Sequence, residues 1–177
     1  MNRLFKELFK FPIHGTFGKI FNNIYFDGFM KYQIWYYKKL GVNIDSKVTY
    51  ICPDVFIDSS YYKAITIGKN VVISKQAMLL THDYSLHNQL VNIGIEFEKG
   101  QTAHYIKPIS IGDNSFIGAR AFLLPGTIIG RNCIVGAGSV VKGTIPDFSI
   151  VVGNPGKVIG DTREWAKKKA QLNDWRI

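Results

Sequence analysis

Aliphatic residues recur at every sixth position along two stretches of the chain. One stretch starts at Ile67 and reads IGKNVV, ISKQAM, LLTHDY; the other starts at Ile111 and reads IGDNSF, IGARAF, LLPGTI, IGRNCI, VGAGSV, VKGTIP. A helix repeats about every 3.6 residues and a strand every two, so neither accounts for a sustained period of six. The pattern is typical of short strands that each end in a turn, with three strands to a coil and the coils stacked. We therefore predict an all-β solenoid whose aliphatic positions point inward.

The period also predicts which residues stack on each other. Each inward residue should lie beside the one three hexapeptides further on, so Ile117 is expected beside Val135 and Leu123 beside Val141. Glycine follows the inward residue in four of the six later repeats, where a side chain would crowd the turn. Cys133 occupies the small fifth position of its repeat, which predicts a core position rather than a nucleophile. Cys52 is interpreted in the same way.

The repeat is degenerate near its start and is interrupted twice. The hexapeptides IDSKVT, YICPDV and FIDSSY follow from Ile44 and put Tyr50 and Phe56 in the inward phase. The step of eleven residues from Phe56 to Ile67 indicates an irregular corner at residues 61–63. Residues 85–107 lack the hexapeptide, and we expect a loop that leaves the coil just after His82. Long loops without the surrounding pattern are often functional.

The two ends of the chain differ from the repeat domain, which covers residues 42–160. Residues 1–41 contain segments with helix-like spacing of aromatic and basic residues, and we expect a short helical cap over the first coil. The alternative for residues 1–40 is a peripheral contact with an anionic membrane. Residues 163–169 are expected to form a short helix within the C-terminal segment of residues 161–177.

The composition is that of a folded globular protein, with 46% hydrophobic, 20% charged and 14% aromatic residues in a chain of 177. The net charge of +9 comes mainly from residues 1–40 and 157–177, so an anionic partner suits both ends. Two cysteines are too few for a disulfide framework or a zinc cluster. We find no signal peptide or membrane-spanning run and no indication of a nucleic-acid partner. A cytoplasmic location is expected, with the inner face of the membrane as the alternative.

Four stretches resemble the hexapeptide-repeat acyltransferases, in particular their sugar and polysaccharide O-acetyltransferase branch. They are LTHD from Leu80, PISIGDNSFIGA from Pro108, LLPGTIIGRNCIVGAGSVV from Leu123 and IVVGNPGKVI from Ile150. With the degenerate repeats, the resemblance covers residues 42–160. It implies a left-handed parallel β-helix that assembles as a homotrimer with active sites between subunits. It further implies transfer of acetyl from acetyl-coenzyme A to a sugar hydroxyl, in the biosynthesis of capsule, O-antigen or another surface polysaccharide.

The resemblance also implies roles for individual residues. Transfer from a thioester to a hydroxyl needs a base for the hydroxyl proton and donors for the oxyanion. His82 matches the family's catalytic base, and the neighbouring Asp83 either orients its ring or caps a turn. The backbone amide of Ala119 matches the oxyanion donor. His87 and His104, within the loop, are the candidates for contacts with the acceptor.

Four residues match positions that hold the coenzyme in this family. The pantetheine arm is expected against the backbone amides of Ala119 and Ala137. Lys157, in the closing motif, matches a position that pairs with phosphate. Lys142 stands one residue away from the lysine of the family's Thr-Lys pair and is a second candidate for the coenzyme phosphates. No metal is expected in the chemistry.

Other functions remain open at this point. N-acetylation of an amino sugar or nucleotide sugar, acetylation of an antibiotic, and a non-catalytic sugar-binding scaffold are all compatible with the repeat. A γ-type carbonic anhydrase shares the β-helix, and His82 and His87 have the spacing of two of its zinc ligands. The third ligand should lie upstream, but no histidine lies between His14 and His82. A serine acetyltransferase would carry a long helical N-terminal domain, for which about forty residues are too few.

Overall fold

Three parallel sheets form the faces of a left-handed β-helix in a computed structural model that describes residues 15–58, 60–172 and 175–176. Helices flank the strands at both ends of the chain. The helices are α1 (Gly15–Ile24), α2 (Phe26–Leu40), α3 (Ser85–Asn92) and α4 (Thr162–Leu172), with a 3₁₀ turn at Tyr62–Ala64. The strands are β1 (Asn43–Ile44), β2 (Tyr50–Ile51), β3 (Phe56–Ile57), β4 (Ile65–Ile67), β5 (Val72–Ile73), β6 (Met78–Leu79), β7 (His82–Asp83), β8 (Tyr105–Ile106), β9 (Ile109–Ile111), β10 (Phe116–Ile117), β11 (Phe122–Leu123), β12 (Ile128–Ile129), β13 (Ile134–Val135), β14 (Val140–Val141), β15 (Thr144–Ile145), β16 (Ser149–Val152) and β17 (Lys157–Asp161).

Apart from β7 and β8, which pair with each other, successive strands from β1 to β16 belong to the first, second and third sheets in rotation. The first sheet has the order β1-β4-β9-β12-β15, the second β2-β5-β10-β13-β16-β17, and the third β3-β6-β11-β14. All neighbours within them are parallel except β17, which returns antiparallel beside β16. We call the turns between first and second, second and third, and third and first sheets the first, second and third corners.

The predicted stacking is confirmed in the later coils. Ile117 pairs with Val135 and Leu123 pairs with Val141, three hexapeptides apart in each case. All four side chains are almost completely excluded from solvent. The inward aliphatic positions therefore form one continuous core along the axis of the β-helix.

The predicted phase of the first coil is wrong by one residue. Ile51 and Ile57 point inward, whereas Phe56 is 48% exposed and Tyr50 is only partly buried. One additional residue between Ile44 and Ile51 causes the shift, and the 3₁₀ turn at 62–64 absorbs the remaining irregularity. Cys52 is consequently half-buried rather than in the core, while Cys133 is buried as predicted.

Two different constraints shape the corners. The fourth residue of the hexapeptide has a left-handed backbone, with φ between 54° and 57° at Asn70, Gln76, Asn114, Arg120 and Asn132. The second residue is limited by space instead. A Cβ atom at Gly118 would lie 2.6 Å from the backbone nitrogen of Ala137 in the next coil. Glycine at this position therefore allows neighbouring coils to approach closely.

The helices before the repeat cover the first coil. The buried residues of α2, among them Phe29, Tyr36 and Leu40, join the same hydrophobic cluster as Ile44 and Ile51. The helix ends at Leu40 and is capped by Gly41, whose φ of 109° suits glycine and whose N–H donates to the carbonyls of residues 37 and 38. The predicted helical segment at residues 1–14 lies outside the described residues.

The predicted loop leaves the coil at the third corner but is not structureless. Its two arms pair as an antiparallel stem, with His82 opposite Ile106 and Asp83 opposite Tyr105. The N–H of Lys107 donates to the carbonyl of Thr81 and closes the base of the stem. The short helix α3 follows the first arm. The stem therefore fixes the residues around His82 relative to the coil.

Truncation of a stacked core residue should weaken the fold. Leu123 has no exposed surface, so Leu123→Ala leaves a cavity between neighbouring coils and should lower the free energy of unfolding by about 2–5 kcal/mol. Urea unfolding followed by circular dichroism, at a fixed protein concentration, measures this change. The control is Ile128→Ala, at a side chain that is 46% exposed. Equal losses in the two variants would contradict the assignment of the inward face.

Candidate active site

His82 lies at the third corner, where the stem of the loop leaves the coil, and its imidazole is held by a buried carboxylate. Nδ1 of His82 is 2.5 Å from Oδ2 of Asp58, which belongs to the preceding coil. The Asp58 side chain is 2% exposed, and that of His82 is 26% exposed. Because a carboxylate only accepts hydrogen bonds, Nδ1 must carry the hydrogen. The neutral ring then presents Nε2 as a proton acceptor, and no described residue bonds that nitrogen.

Asp58 is held as a carboxylate by its hydrogen bonds. The N–H and hydroxyl of Thr81 donate to Oδ2 at 2.9 and 2.7 Å, and the N–H of Ser60 donates to Oδ1 at 2.9 Å. Burial raises the pKa of Asp58, but the hydrogen bonds from Ser60, Thr81 and His82 outweigh it and hold that pKa below its ordinary value. A negatively charged partner orients the imidazole and can stabilise an imidazolium formed when Nε2 accepts a proton.

The Asp83 carboxylate bonds to residues of the loop and its stem. Its Oδ1 accepts from the N–H of Ser85 at the start of α3, and its Oδ2 accepts from the hydroxyl of Tyr105 at 2.8 Å. These hydrogen bonds, with the nearby charge of Lys142, lower the pKa of Asp83 to about 2. The hydrogen-bond partner of the His82 ring is Asp58, whereas the partners of Asp83 lie in the loop and its stem.

The two loop histidines lie in different surroundings. Nδ1 of His87 accepts from the N–H of Ala103, and its ring lies 4.7 Å from that of Phe97. His87 therefore helps to fold the loop on itself. His104 is exposed and stacks on Tyr84, with ring centroids 4.6 Å apart. Of the two predicted acceptor contacts, His104 belongs to the group of rings next to His82.

The second corner presents backbone amides without partners. At the first corner, the equivalent N–H groups of Lys69 and Arg131 donate to the carboxylates of Asp113 and Asp147 in the following coil. Along the described chain, the N–H groups of Ala119 and Ala137 have no such acceptor. Ala119 is partly exposed and Ala137 exposed. These two positions therefore offer a row of donors to a ligand that lies along the corner.

The predicted catalytic and coenzyme positions lie at different corners of one chain. His82 and Lys142 follow the third sheet, whereas Ala119 and Ala137 follow the second, so the third face of the β-helix separates them. Lys157 lies on β17, beside Val152 of the second sheet, and is exposed. A single chain does not bring the base and the amide donors together.

Comparison with known proteins agrees with the fold. A family model for the hexapeptide repeat of succinyl-transferase matches residues 108–142. A Bacillus subtilis protein named as an acetyltransferase, YvoF, is 30% identical over 146 residues, which cover 81% of this chain and 76% of that protein. The chain belongs to the hexapeptide-repeat acetyltransferase family. The resemblance read from the four sequence stretches is thereby confirmed.

Two further members of the hexapeptide-repeat acetyltransferases show the extent of the similarity. The crystal structure of a maltose O-acetyltransferase from Clostridium difficile superposes with a TM-score of 0.55 and 28% identity, covering 90% of this chain and 89% of that one. An Escherichia coli protein named as a lipopolysaccharide biosynthesis O-acetyl transferase, WbbJ, is 28% identical over 63% of this chain and 60% of its own length. The matched region spans only 42% of the length of a relative named as an acetyltransferase in Schizosaccharomyces pombe and 35% of that of one in Mycobacterium tuberculosis.

In this member of the family, the sequence reasoning missed Asp58. The number of residues per coil could have revealed Asp58, because it determines which residues of neighbouring coils lie next to each other. Ile57 pairs with Leu79, so the residue after Ile57 lies directly below the residues that lead into His82. The wrong phase assigned to the first coil concealed this relation.

The described part of the chain has neither a metal-binding cluster nor a membrane-spanning helix. No three His, Cys, Asp or Glu side chains converge as a metal-binding group there. Among the helices of the same residues, none is long and apolar enough to cross a membrane.

Proposed function

We propose that this protein transfers acetyl from acetyl-coenzyme A to a hydroxyl group of a sugar, in the biosynthesis of a surface polysaccharide. The observation that carries the proposal is the pair of Asp58 and His82 at the base of the loop, with Nε2 of the imidazole left open. The similarity to a maltose O-acetyltransferase and to WbbJ supports a carbohydrate hydroxyl as the acceptor.

In the proposed reaction, His82 moves one proton. Nε2 takes the proton from the sugar hydroxyl as the oxygen attacks the thioester carbonyl, so a C–O bond forms and the carbonyl becomes an oxyanion. Asp58 stabilises the imidazolium during this step. The oxyanion then collapses, the C–S bond breaks, and the proton on Nε2 passes to the coenzyme sulfur. The products are an acetyl ester and free coenzyme A, and His82 returns to its starting state.

The coenzyme is proposed to bind along the second corner, against the amides of Ala119 and Ala137. Their unpartnered N–H groups match the carbonyls of an extended pantetheine arm, and that of Ala119 is placed to stabilise the oxyanion. Because His82 lies at another corner, a second copy must supply the base. We therefore propose a homotrimer in which His82 of one subunit faces the second corner of its neighbour.

The cytoplasmic face of the membrane is the proposed site of action. The described part of residues 1–40 exposes Ile20, Ile24 and Tyr25, at 50%, 79% and 58% of their surface. The basic excess in the same region favours an anionic surface. Such a contact would bring the enzyme to acceptors assembled on a lipid carrier.

An acceptor panel tests the proposed function. Thiol release from acetyl-coenzyme A is followed with neutral sugars, nucleotide sugars, oligosaccharides and amino sugars as acceptors. Acceleration by acceptors that carry only hydroxyl groups supports the proposal. Acceleration by amino sugars alone would favour N-acetylation instead. Absence of both turnover and coenzyme binding would favour a scaffold without catalysis.

Removal of the Lys157 charge should weaken binding of the coenzyme. Lys157→Ala is expected to raise the KM for acetyl-coenzyme A about three- to tenfold without changing kcat, because one charge-assisted phosphate contact is lost. Lys168→Ala, an exposed lysine on α4, is the matched control. The comparison is repeated with 3′-dephospho-acetyl-coenzyme A, on which the effect should disappear if the 3′-phosphate is the partner. An unchanged KM with both donors would remove Lys157 from the coenzyme site.

A further inference from the structure

Three rings form a continuous group beside the proposed base. The rings of His82 and Tyr84 meet edge-on, with centroids 5.0 Å apart and planes at 70°. Tyr84 in turn stacks on His104, with centroids 4.6 Å apart and planes at 28°. Tyr84 directly follows the first arm of the stem and His104 directly precedes the second. The group therefore spans the mouth of the loop next to the open nitrogen of His82.

The stem does not need this stack to stay closed. Its arms already pair through His82 with Ile106 and Asp83 with Tyr105, and the Asp83 carboxylate accepts from the Tyr105 hydroxyl. The backbone bond from Lys107 to Thr81 closes the base. The Tyr84–His104 stack is thus an additional feature, attached to a support that is already rigid.

The stack remains open to solvent in spite of these contacts. Tyr84 is 46% exposed, and His104 is exposed as well. Covering an exposed aromatic ring with another apolar surface is favourable in free energy, because the apolar area of both is removed from water. Since the ring lies 5.0 Å from the imidazole of His82, centroid to centroid, a molecule that covers it would also place one of its groups near that imidazole.

The chemistry of a sugar ring fits this surface. The axial C–H groups of a pyranose form an apolar face that packs on an aromatic ring, while its hydroxyl groups project from the rim. A pyranose on Tyr84 can therefore turn a rim hydroxyl towards the imidazole. A small aliphatic amine or serine offers no comparable flat apolar face.

We infer that Tyr84, supported by His104, is the platform on which the acceptor pyranose stacks, and that it helps to select a sugar as the acceptor. The inference rests on the proposed function, because it names the substrate-binding element of the same site. Tyr84 is a specificity-determining residue in this account, and His104 is a positioning residue that acts through Tyr84.

The test compares Tyr84→Phe, which keeps the ring, with Tyr84→Leu, which removes it. Tyr84→Leu should raise the KM for the accepted sugar about five- to tenfold, while the KM for acetyl-coenzyme A stays within about twofold. Tyr84→Phe should stay within about twofold of the wild type for both substrates. His104→Ala should raise the sugar KM by less than Tyr84→Leu. Phe97→Leu, at an aromatic residue of the same loop that contacts His87, is the matched control.

A binding experiment separates this inference from the proposed function. Saturation-transfer difference NMR uses methyl glycosides of glucose, galactose, mannose and N-acetylglucosamine in the presence of coenzyme A. Saturation of aromatic protons should transfer to the ring C–H protons of at least one glycoside in the wild type and Tyr84→Phe, and at the same glycoside concentration the transfer should be several-fold weaker in Tyr84→Leu. Transfer as strong in Tyr84→Leu as in the wild type, or no transfer to any glycoside, would overturn the inference. If transfer depends on Tyr84 but no acetylation occurs, the proposed function fails and the platform stands.

Discussion

Replacement of His82 with alanine is expected to lower kcat by about 10²–10⁴-fold, while the KM for acetyl-coenzyme A stays nearly unchanged. A general base contributes a factor of this size when it removes a proton in the transition state. The imidazole lies at a different corner from the amides of Ala119 and Ala137, so its removal leaves the proposed binding site of the coenzyme at the second corner unchanged. Steady-state thiol release with the best hydroxyl acceptor measures both constants.

Asn88→Ala is the control for this prediction, because Asn88 is an exposed residue of α3 in the same loop. It should retain the wild-type kcat within about twofold. Coenzyme A binding, measured by calorimetry, should be the same for the wild type and His82→Ala. If His82→Ala turns over at the wild-type rate on an accepted sugar, His82 is not the base.

The second large effect is expected from Asp58→Asn, which should lower kcat by about 10²-fold or more. An amide has the shape of the carboxylate but no charge, so it cannot stabilise the imidazolium. If its NH₂ group faces Nδ1, it also favours the wrong tautomer of His82. The effect should fall on kcat and leave the KM for acetyl-coenzyme A near its wild-type value. Thiol release measures this split, and circular dichroism verifies that the fold persists.

Thr81→Val provides a graded comparison. It removes the hydroxyl that donates to Asp58 at 2.7 Å but keeps the backbone donor and the carboxylate. Its loss of kcat should be clearly smaller than that of Asp58→Asn. Equal activity of Asp58→Asn and the wild type would contradict the role of Asp58 in orienting His82.

The same carboxylate links stability to pH. The pKa of Asp58 is lowered in the folded protein, so its ionised form stabilises the fold above the ordinary aspartate pKa of about 3.9. That contribution is lost as the pH falls through the folded-state pKa. At neutral pH Asp58 is therefore a carboxylate in every assay described above.

The period of six was enough to predict the later coils because each hexapeptide of the sequence forms one strand and one turn of the β-helix. Each hexapeptide supplies one face, and the pairs of Ile117 with Val135 and Leu123 with Val141 follow from counting three repeats. The first coil could not be assigned in this way. Tyr50 and Phe56 are large hydrophobic residues beside Ile51 and Ile57, so hydrophobicity alone does not tell which of each pair points inward, and in the structure it is Ile51 and Ile57 that join the core.

The sequence allowed a prediction for a single residue of the candidate site, but not for contacts between residues of two different coils. His82 could be proposed as the base because it stands where the repeat ends and the loop begins and because it matches the family's motif. Asp58 could not, because it lies in the coil whose phase was misjudged. The pairing of β7 with β8 brings Tyr84 and His104 together. The loop lacks the hexapeptide period, so the sequence did not predict this pairing.

The most direct test of the central claim is the fate of the acetyl group. Protein, radiolabelled acetyl-coenzyme A and the best hydroxyl sugar are incubated together, and the acetyl on the sugar is compared with the thiol released. Transfer from thioester to hydroxyl predicts equal amounts of both, with the acetyl in an ester that hydroxylamine cleaves, and loss of both products in His82→Ala. Thiol release without acetyl on the sugar, or an acetyl group that hydroxylamine does not remove, would contradict O-acetylation.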